Sequence, residues 1–399
     1  IHDKRPRKAF WYALLAGFVA NYDGYYWITE LLARFAKLPY IVGILITTLL
    51  CLYQALVFGL FGAALAAVRQ RKAVPLALLA PTLFVAAEFL VPMEFPFYVA
   101  ITQAWVPQAI QIADIAGPLG VSFVLVCCSG ALFDVLLWWR AGARLPKRTL
   151  YAAAGLVAFT WIYGFIQVSR YATKIDKAPK IKIGIVQANL GIRDKGRASF
   201  ADVQLGIHHH LSLELQRLGA DLIVWPESTH PFPMSRDRKY LGKEYFSLLT
   251  RGGPAALRRG HRTRESDLNP DEIIKTPLFI GVQTNHFGKG VKVGGRKYPE
   301  RIYNSAALID SDGTISGLYD KLYLVAFSEK IPLYDTLSKI GSLKKQFRRR
   351  RMSNFTAGKE AIAFKFGKYR LGPAVCFEDI LPEHGRRMAA EKPNVFINI

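Results

Sequence analysis

Three residues offer chemistry in this sequence: Glu227, Lys321 and Cys376. Each follows a short apolar run with the length and β-branched content of a strand. Glu227 comes after Asp-Leu-Ile-Val-Trp-Pro and Cys376 after Leu-Gly-Pro-Ala-Val. Lys321 lies in Gly-Leu-Tyr-Asp-Lys-Leu-Tyr, just beyond a candidate strand near Ile315. In open α/β sheets the carboxyl ends of the strands share one edge, and sites form there. A carboxylate, an ammonium and a thiol gathered at that edge could act as general base, oxyanion partner and nucleophile. The thiolate is the reactive form, and a nearby cation lowers its pKa. Each residue alone also has a plain reading: a structural cysteine, a glutamate capping a helix after proline, a solvated lysine.

The elements that must position them belong to the polar half of the chain. Ile181–Gln187, Asp221–Trp225, Leu278–Thr284, Tyr303–Asp310, Ala361–Phe366 and Tyr369–Val375 read as strands, the last two joined through Gly367-Lys368 as a hairpin. Between the first two, Val203, Ile207, Leu211, Leu215 and Leu218 recur at helical spacing and complete a β-α-β unit. Residues 233–275, rich in Arg, Gly and Pro, and 339–351, with seven Lys/Arg and no acid, read as surface insertions. Their charge is either solvated or drawn to anionic headgroups beside a membrane.

The other half is a membrane domain. The whole chain has 399 residues, is 51% hydrophobic and carries a formal charge of +23, which excludes a disordered or fibrous protein. Residues 1–168 hold only 13 Lys/Arg and 7 Asp/Glu, leaving 40 and 23 to residues 169–399. Crossing the hydrocarbon takes about 20 mostly apolar residues. Five runs qualify: 9–28, 41–68, 73–93, 117–139 and 149–168. Segments 1–8, 69–72 and 140–148 carry 4, 3 and 4 Lys/Arg, against 2 and 0 in 29–40 and 92–116. Lys and Arg accumulate on the cytoplasmic side, so five crossings place the domain from residue 181, after a linker at 169–180, outside the cytoplasm. That placement argues against nucleic acid as the partner of the basic charge. Segment 94–116, aromatic, proline-broken and free of Lys and Arg, reads either as an external loop with an interfacial belt or as a re-entrant piece shaping a lipid entrance. Glu88 and Asp23 are either buried polar contacts between helices or line a lipid cavity.

Three blocks raise these readings to a resemblance. Trp-Pro-Glu-Ser at 225–228, Tyr-Asp-Lys-Leu-Tyr-Leu-Val-Ala-Phe-Ser-Glu at 319–329 and Cys-Phe-Glu-Asp at 376–379 resemble, in that order, the signature blocks of the nitrilase, or carbon–nitrogen hydrolase, superfamily. The Leu-Val-x-Phe-x-Glu version after the lysine, joined to membrane helices, is similar to the apolipoprotein N-acyltransferase family. Gln111-Ile-Ala-Asp-Ile-Ala-Gly-Pro-Leu-Gly-Val-Ser-Phe123 is similar to that family's lead into a membrane helix. The resemblance implies a multi-pass helical membrane domain followed by an α-β-β-α nitrilase-like sandwich. It implies Cys376 as nucleophile, Glu227 as general base and Lys321 as oxyanion partner. Glu329 and Glu378 match further acidic positions that orient the lysine and the substrate amine. It also implies a phospholipid acyl donor, a diacylated lipoprotein acceptor and the bacterial inner membrane, with catalysis on the periplasmic side. Phe377 stands where the family often has Tyr, which takes a hydroxyl from beside Cys376, and Ala326 and Ser328 stand where Pro and Gly are usual.

Two rival readings share these residues: a membrane-tethered amidase using water as acceptor, and an inactive lipid-binding descendant. The chain reads as a fragment lacking both ends, starting at Ile1 and stopping in the apolar run 394–399. Four cysteines are too few for a disulfide framework, and Cys51, Cys127 and Cys128 lie in apolar runs as small hydrophobes. Adjacent residues His208, His209 and His210 point to different helix faces, which argues against a metal site. With no phosphate-binding glycine loop and no zinc spacing, no cofactor is expected, and oligomeric state is open.

Overall fold

The computed structural model describes residues 4–34, 38–93, 95–96, 98–191, 200–236, 239, 273–288, 291–293, 296–325, 329–330 and 355–399. Two compact units divide the chain, Ile1–Ala178 and Pro179–Ile399.

The α-helices among the described residues of the first unit are α1 (Pro6–Tyr25), α2 (Trp27–Arg34), α3 (Tyr40–Gln54), α4 (Leu56–Arg69), α5 (Leu76–Leu90), the short α6 (Pro107–Ile110), α7 (Ala113–Ala141) and α8 (Lys147–Lys177). Among the described residues three stretches are long and apolar enough to cross a membrane: 40–69, 113–141 and 147–177. The expected run 73–93 narrows to the 15 residues of α5, because Pro75 starts that helix and the chain turns extended at Val91. Within the expected linker at 169–180, α8 runs on to Lys177, because no helix breaker interrupts it before Pro179 and Lys174 and Lys177 suit the negative end of the helix dipole; the two units divide just after it, between Ala178 and Pro179.

Within segment 94–116, side chains from the helices hold the backbone. Phe95 N–H donates to Gln54 Oε1 at 3.3 Å, Val99 N–H to Glu88 Oε1 at 3.0 Å and Ala100 N–H to Ser122 Oγ at 3.2 Å. Glu88 is thus a buried contact to the segment and also lines a small cavity with Asn21 and Gln54.

Asp134 of α7 caps α5. Its two oxygens accept the N–H groups of Leu76 and Ala77, both at 3.0 Å, donors that a helix start leaves without intrahelical partners. Asp134→Ala is expected to cost about 1–3 kcal/mol, read as a lower thermal midpoint in detergent. Asp134→Asn, which keeps one acceptor, should fall between.

Among its described residues the second unit holds eleven strands. A six-stranded sheet runs β1 (Ile183–Ile185), β2 (Leu222–Val224), β4 (Leu278–His286), β7 (Arg301–Ile309), β8 (Ile315–Asp320), with β3 (His230–Ser235) also on β4. A three-stranded sheet runs β11 (Val395–Asn398), β10 (Tyr369–Ala374), β9 (Phe364–Phe366), and β5 (Val291–Val293) pairs β6 (Arg296–Tyr298). Each of the six expected strands, and the candidate strand near Ile315, overlaps one of these; β3, β5, β6 and β11 are additional. β3 occupies the start of the expected insertion 233–275, and most of that insertion and all of 339–351 lie outside the described residues.

Alternation along the strands creates two cores. Ile223, Trp225, Leu278, Ile280, Val282, Ala307 and Ile309 pack with Leu205 and Leu213 of α9 (Ala201–Arg217). Leu222, Val224, Phe279, Ala306, Leu308 and Tyr319 pack with Phe364 and Leu371 of the second sheet. Met388 of α10 (Pro382–Ala390) sits against Gly372 of β10, on the face opposite Leu371. The resulting layers are helix, sheet, sheet, helix.

Candidate active site

The backbone builds the site from interruptions in its sheets. β2 and β3 both run parallel to β4, one after the other along the same edge: Val224 pairs Phe279 and His230 pairs Val282. The chain must bow out between them, and the bow carries Glu227, with Ser228 in the left-handed region at φ 50°. Gly281 lies underneath. A Cβ there would stand 2.6 Å from Glu227 Cα and Pro226 O and 2.9 Å from Ser228 N, backbone atoms that no side-chain rotation can clear. Gly281→Ala is therefore expected to displace the Glu227 loop, costing about 1–3 kcal/mol of stability and, because misplacement of about 1 Å is worth roughly 100-fold, a loss of turnover measurable as kcat.

Lys321 is the first residue past β8. Its N–H donates to the Asn304 carbonyl at 2.8 Å, and two residues after Tyr319 it shares that residue's inter-sheet face. Cys376 comes two residues past β10, in the other sheet, so the site spans both sheets rather than one sheet edge. Cys376 adopts φ 55°; its N–H donates to the Ile399 carbonyl at 2.7 Å and its carbonyl accepts Asn398 Nδ2 at 3.1 Å. Strained backbone of this kind clusters at functional sites.

The side chains converge. Lys321 Nζ, with its side chain 1% exposed, stands 2.9 Å from Glu329 Oε2 and 3.6 Å from Glu227 Oε1. Burial opposes the Lys321 charge, but Glu227 and Glu329 outweigh it and hold its pKa above the ordinary lysine value. Glu329 also accepts Val325 N–H at 2.9 Å. Cys376 is exposed, yet loss of water around the thiol, then the Glu227 charge, push its pKa up; Lys321 and the N–H of Phe377 work against them, and the thiol's hydrogen bond to Glu227 adds to the rise. At rest Cys376 is therefore a protonated thiol beside the Glu227 carboxylate.

Glu378 faces inward. It accepts Tyr319 OH at 2.8 and 2.9 Å, Leu322 N–H at 2.6 Å, Tyr323 N–H at 3.1 Å and Val375 N–H at 2.9 Å. These contacts tie the backbone after Lys321 to the backbone before Cys376, a different part from orienting the lysine or an amine. Burial first, then Glu378, raises the pKa of Tyr319 above the ordinary tyrosine value. Phe377 is half-buried beside Cys376; Ala326 and Ser328 lie outside the described residues.

Two residues that sequence reasoning passed over belong to the surroundings. Asn304 Nδ2 donates to both Glu227 Oε1 and Glu329 Oε1 at 2.6 Å; its signal was a polar residue on the buried face shared by Ala306 and Leu308. Asp320 accepts Ser305 Oγ at 2.8 Å and pairs with Arg236 on the opposite face of β8, where Arg236 also lies over the Tyr303 ring at 4.5 Å. Of the adjacent histidines, His208 Nδ1 meets the Gln204 carbonyl at 2.7 Å and His210 Nε2 meets Glu214 at 3.2 Å.

A buried Lys–Glu pair, a second carboxylate and a thiol at the joint of two sheets define the class. The chain belongs to the carbon–nitrogen hydrolase family, whose sequence model matches residues 182–399, and it is an enzyme of that family. Residues 1–131 match the apolipoprotein N-acyltransferase N-terminal domain. The chain is similar to the apolipoprotein N-acyltransferase of Geobacter metallireducens, 28% identical over 409 residues that cover 99% of this chain and 70% of that protein. It is also similar to those of Bdellovibrio bacteriovorus (24% over 413 residues, covering 98% and 68%) and Bradyrhizobium diazoefficiens (27% over 304 residues, covering 72% and 48%). The chain thus spans from about half to seven-tenths of these relatives' lengths. Among solved structures, an amidase from Nesterenkonia sp. aligns at a TM-score of 0.32 and 16% identity, covering 55% of this chain and 64% of that one.

Proposed function

We infer that the protein is an apolipoprotein N-acyltransferase, moving an acyl chain from a phospholipid through a Cys376 thioester to the α-amine of a diacylglyceryl-cysteine. The observation that carries the reading is the Glu227–Lys321–Cys376 constellation in one chain with helices apolar enough to cross a membrane. Both substrates are lipid-anchored, and confining them with the enzyme to one interface raises their effective concentration.

The first half-reaction starts from the thiol. Glu227 takes the Cys376 proton as Sγ attacks the ester carbonyl carbon, and Lys321 Nζ faces the negative charge that develops on the carbonyl oxygen. Collapse expels the lysophospholipid alkoxide, which recovers the proton from Glu227, and the acyl chain remains as a thioester. In the second half, the amine of the lipoprotein's terminal cysteine attacks the thioester carbon. Glu227 accepts its proton, the amide forms, and the departing thiolate is reprotonated by Glu227. Glu329 holds Lys321 in place throughout, and Glu378 fixes the two backbone segments that carry Lys321 and Cys376. Keeping water out preserves the thioester for the amine.

The Lys/Arg distribution between the helices supports a bacterial inner-membrane enzyme whose catalytic unit faces the periplasm. The experiment uses full-length protein in bilayers with a labelled phospholipid. Intact mass should show an acyl adduct on Cys376 that disappears as an added diacylated lipopeptide becomes N-acylated. An adduct lost equally fast without lipopeptide would instead identify a hydrolase, and no adduct on folded protein would identify an inactive lipid-binding descendant.

A further inference from the structure

Asn304 stands between the two carboxylates of the site, and the motifs assign it nothing. Its Nδ2 lies 2.6 Å from Glu227 Oε1 and 2.6 Å from Glu329 Oε1, whereas Lys321 Nζ stands 3.6 Å from that Glu227 oxygen. The residue is 4% exposed, and its Oδ1 is buried with no hydrogen-bond donor among the described residues. A buried acceptor left without a donor costs stability. The amide nonetheless keeps both N–H groups on the carboxylates. Its backbone is fixed from both sides, paired with Gln283 of β4 and accepting the Lys321 N–H at 2.8 Å. Among the described residues, the groups that face Glu227 include Asn304 from β7, Lys321 from the end of β8, Glu329 through both of these, and the Cys376 thiol from beyond β10.

We propose that Asn304 is a positioning residue for the general base: its amide holds the Glu227 carboxylate toward the Cys376 thiol as a proton acceptor. The same amide fixes Glu329 so that the Lys321 ammonium leans to Glu329, at 2.9 Å, rather than closing on Glu227. One carboxylate then serves as permanent counter-ion, and the other is left to carry the proton back and forth. Hydrogen bonds to a carboxylate favour its charged form, and losing the amide takes that support, and the fixed orientation, from Glu227. The inference rests on the acyl-transfer reading for its substrate, but its test does not.

The test follows alkylation of Cys376 by iodoacetamide on the full chain in detergent micelles, by intact mass, across the acid and neutral range. Asn304→Asp keeps the shape without the N–H donors, and Asn304→Ala removes the group. Both should slow alkylation roughly 10- to 100-fold at neutral pH, the effect of a hydrogen bond to a charged group, and move the acid fall-off to higher pH. Acyl transfer should fall in kcat with KM for phospholipid little changed, because Asn304 is too buried to meet substrate. Should Asn304→Ala not fold, Asn304→Ser, with one hydroxyl donor, should give an intermediate rate and fall-off. Rates and pH profiles matching the unsubstituted protein in folded variants would overturn the proposal. An unsubstituted chain that alkylates normally but acylates no lipopeptide would overturn the transferase reading and leave the Asn304 inference standing.

Discussion

Replacing Cys376 with alanine should lower acyl transfer by at least roughly four orders of magnitude, the scale seen when a nucleophile acting as part of a unit is removed, and should abolish the acyl adduct by intact mass. The fold should barely respond. Cys376 is exposed, and the hydrogen bonds that hold its left-handed backbone, from its N–H to the Ile399 carbonyl and from Asn398 Nδ2 to its own carbonyl, involve no side-chain atom of Cys376. Alanine meets the same steric cost at φ 55° as cysteine does, so the thermal midpoint should stay within the range of a surface substitution. The pairing of lost chemistry with a kept fold is what makes the result diagnostic. A Cys376→Ala protein that still N-acylates lipopeptide would require another nucleophile and would defeat the mechanism. Cys376→Ser should be nearly as inactive, because a hydroxyl gives up its proton to Glu227 far less readily than a thiol.

The second large effect is on stability and activity together. Lys321 has 1% side-chain exposure and lies between Glu329, with 9%, and Glu227, with 28%. Taking one partner from a buried ion pair leaves an uncompensated charge and costs about 3–5 kcal/mol. Lys321→Met, close in length, should therefore lower the midpoint of chemical unfolding by that amount and eliminate acyl transfer. Lys321→Met combined with Glu329→Gln should recover part of the stability, since the worst-placed charge is gone, and none of the activity, since nothing then faces the oxyanion. A Lys321→Met protein as stable as its parent would show that the ion pair does not hold this joint. The pH dependence has a definite sign. Burial works against the Lys321 charge, but Glu227 and Glu329 raise its folded pKa above the ordinary 10.5. A raised lysine contributes stability that is complete below the unfolded value and is lost as pH climbs through the folded one. Alkaline titration should reveal that loss in the parent and not in Lys321→Met.

These contacts also show why the motifs are spaced as they are. Trp-Pro-Glu-Ser supplies a buried Trp225 whose indole N–H donates to Ser212 Oγ of α9 at 2.9 Å, a proline that ends pairing, and the glutamate on the bow. Tyr-Asp-Lys supplies Tyr319 for Glu378, Asp320 for Arg236 on the opposite face, and Lys321 for the site. One strand of alternating side chains thus serves the inter-sheet site and the outer face at once. Cys-Phe-Glu supplies the site's thiol at its first position and, at its third, the carboxylate that accepts three backbone N–H groups.

The sequence by itself determined the elements that depend on neighbours in the chain. Short apolar runs rich in β-branched residues marked six strands, the spacing of Val203, Ile207 and Leu211 marked the helix between the first two, and long apolar stretches marked the membrane helices. Glu227, Lys321 and Cys376 could be chosen because each stands just past such a run. Only the tertiary structure decided what meets what. That β2 and β3 share one edge of β4, that Cys376 comes from a second sheet, that Glu378 turns inward, and that Asn304 joins two carboxylates 77 and 25 residues away are all long-range outcomes. So is β3, whose residues carry no alternation of their own and pair because β4 offers them a free edge. The physical reason is the range of the forces. Propensity and hydrophobic period act over a turn or a strand, whereas buried charges take positions only where packing has already removed water and left specific partners within about 3 Å.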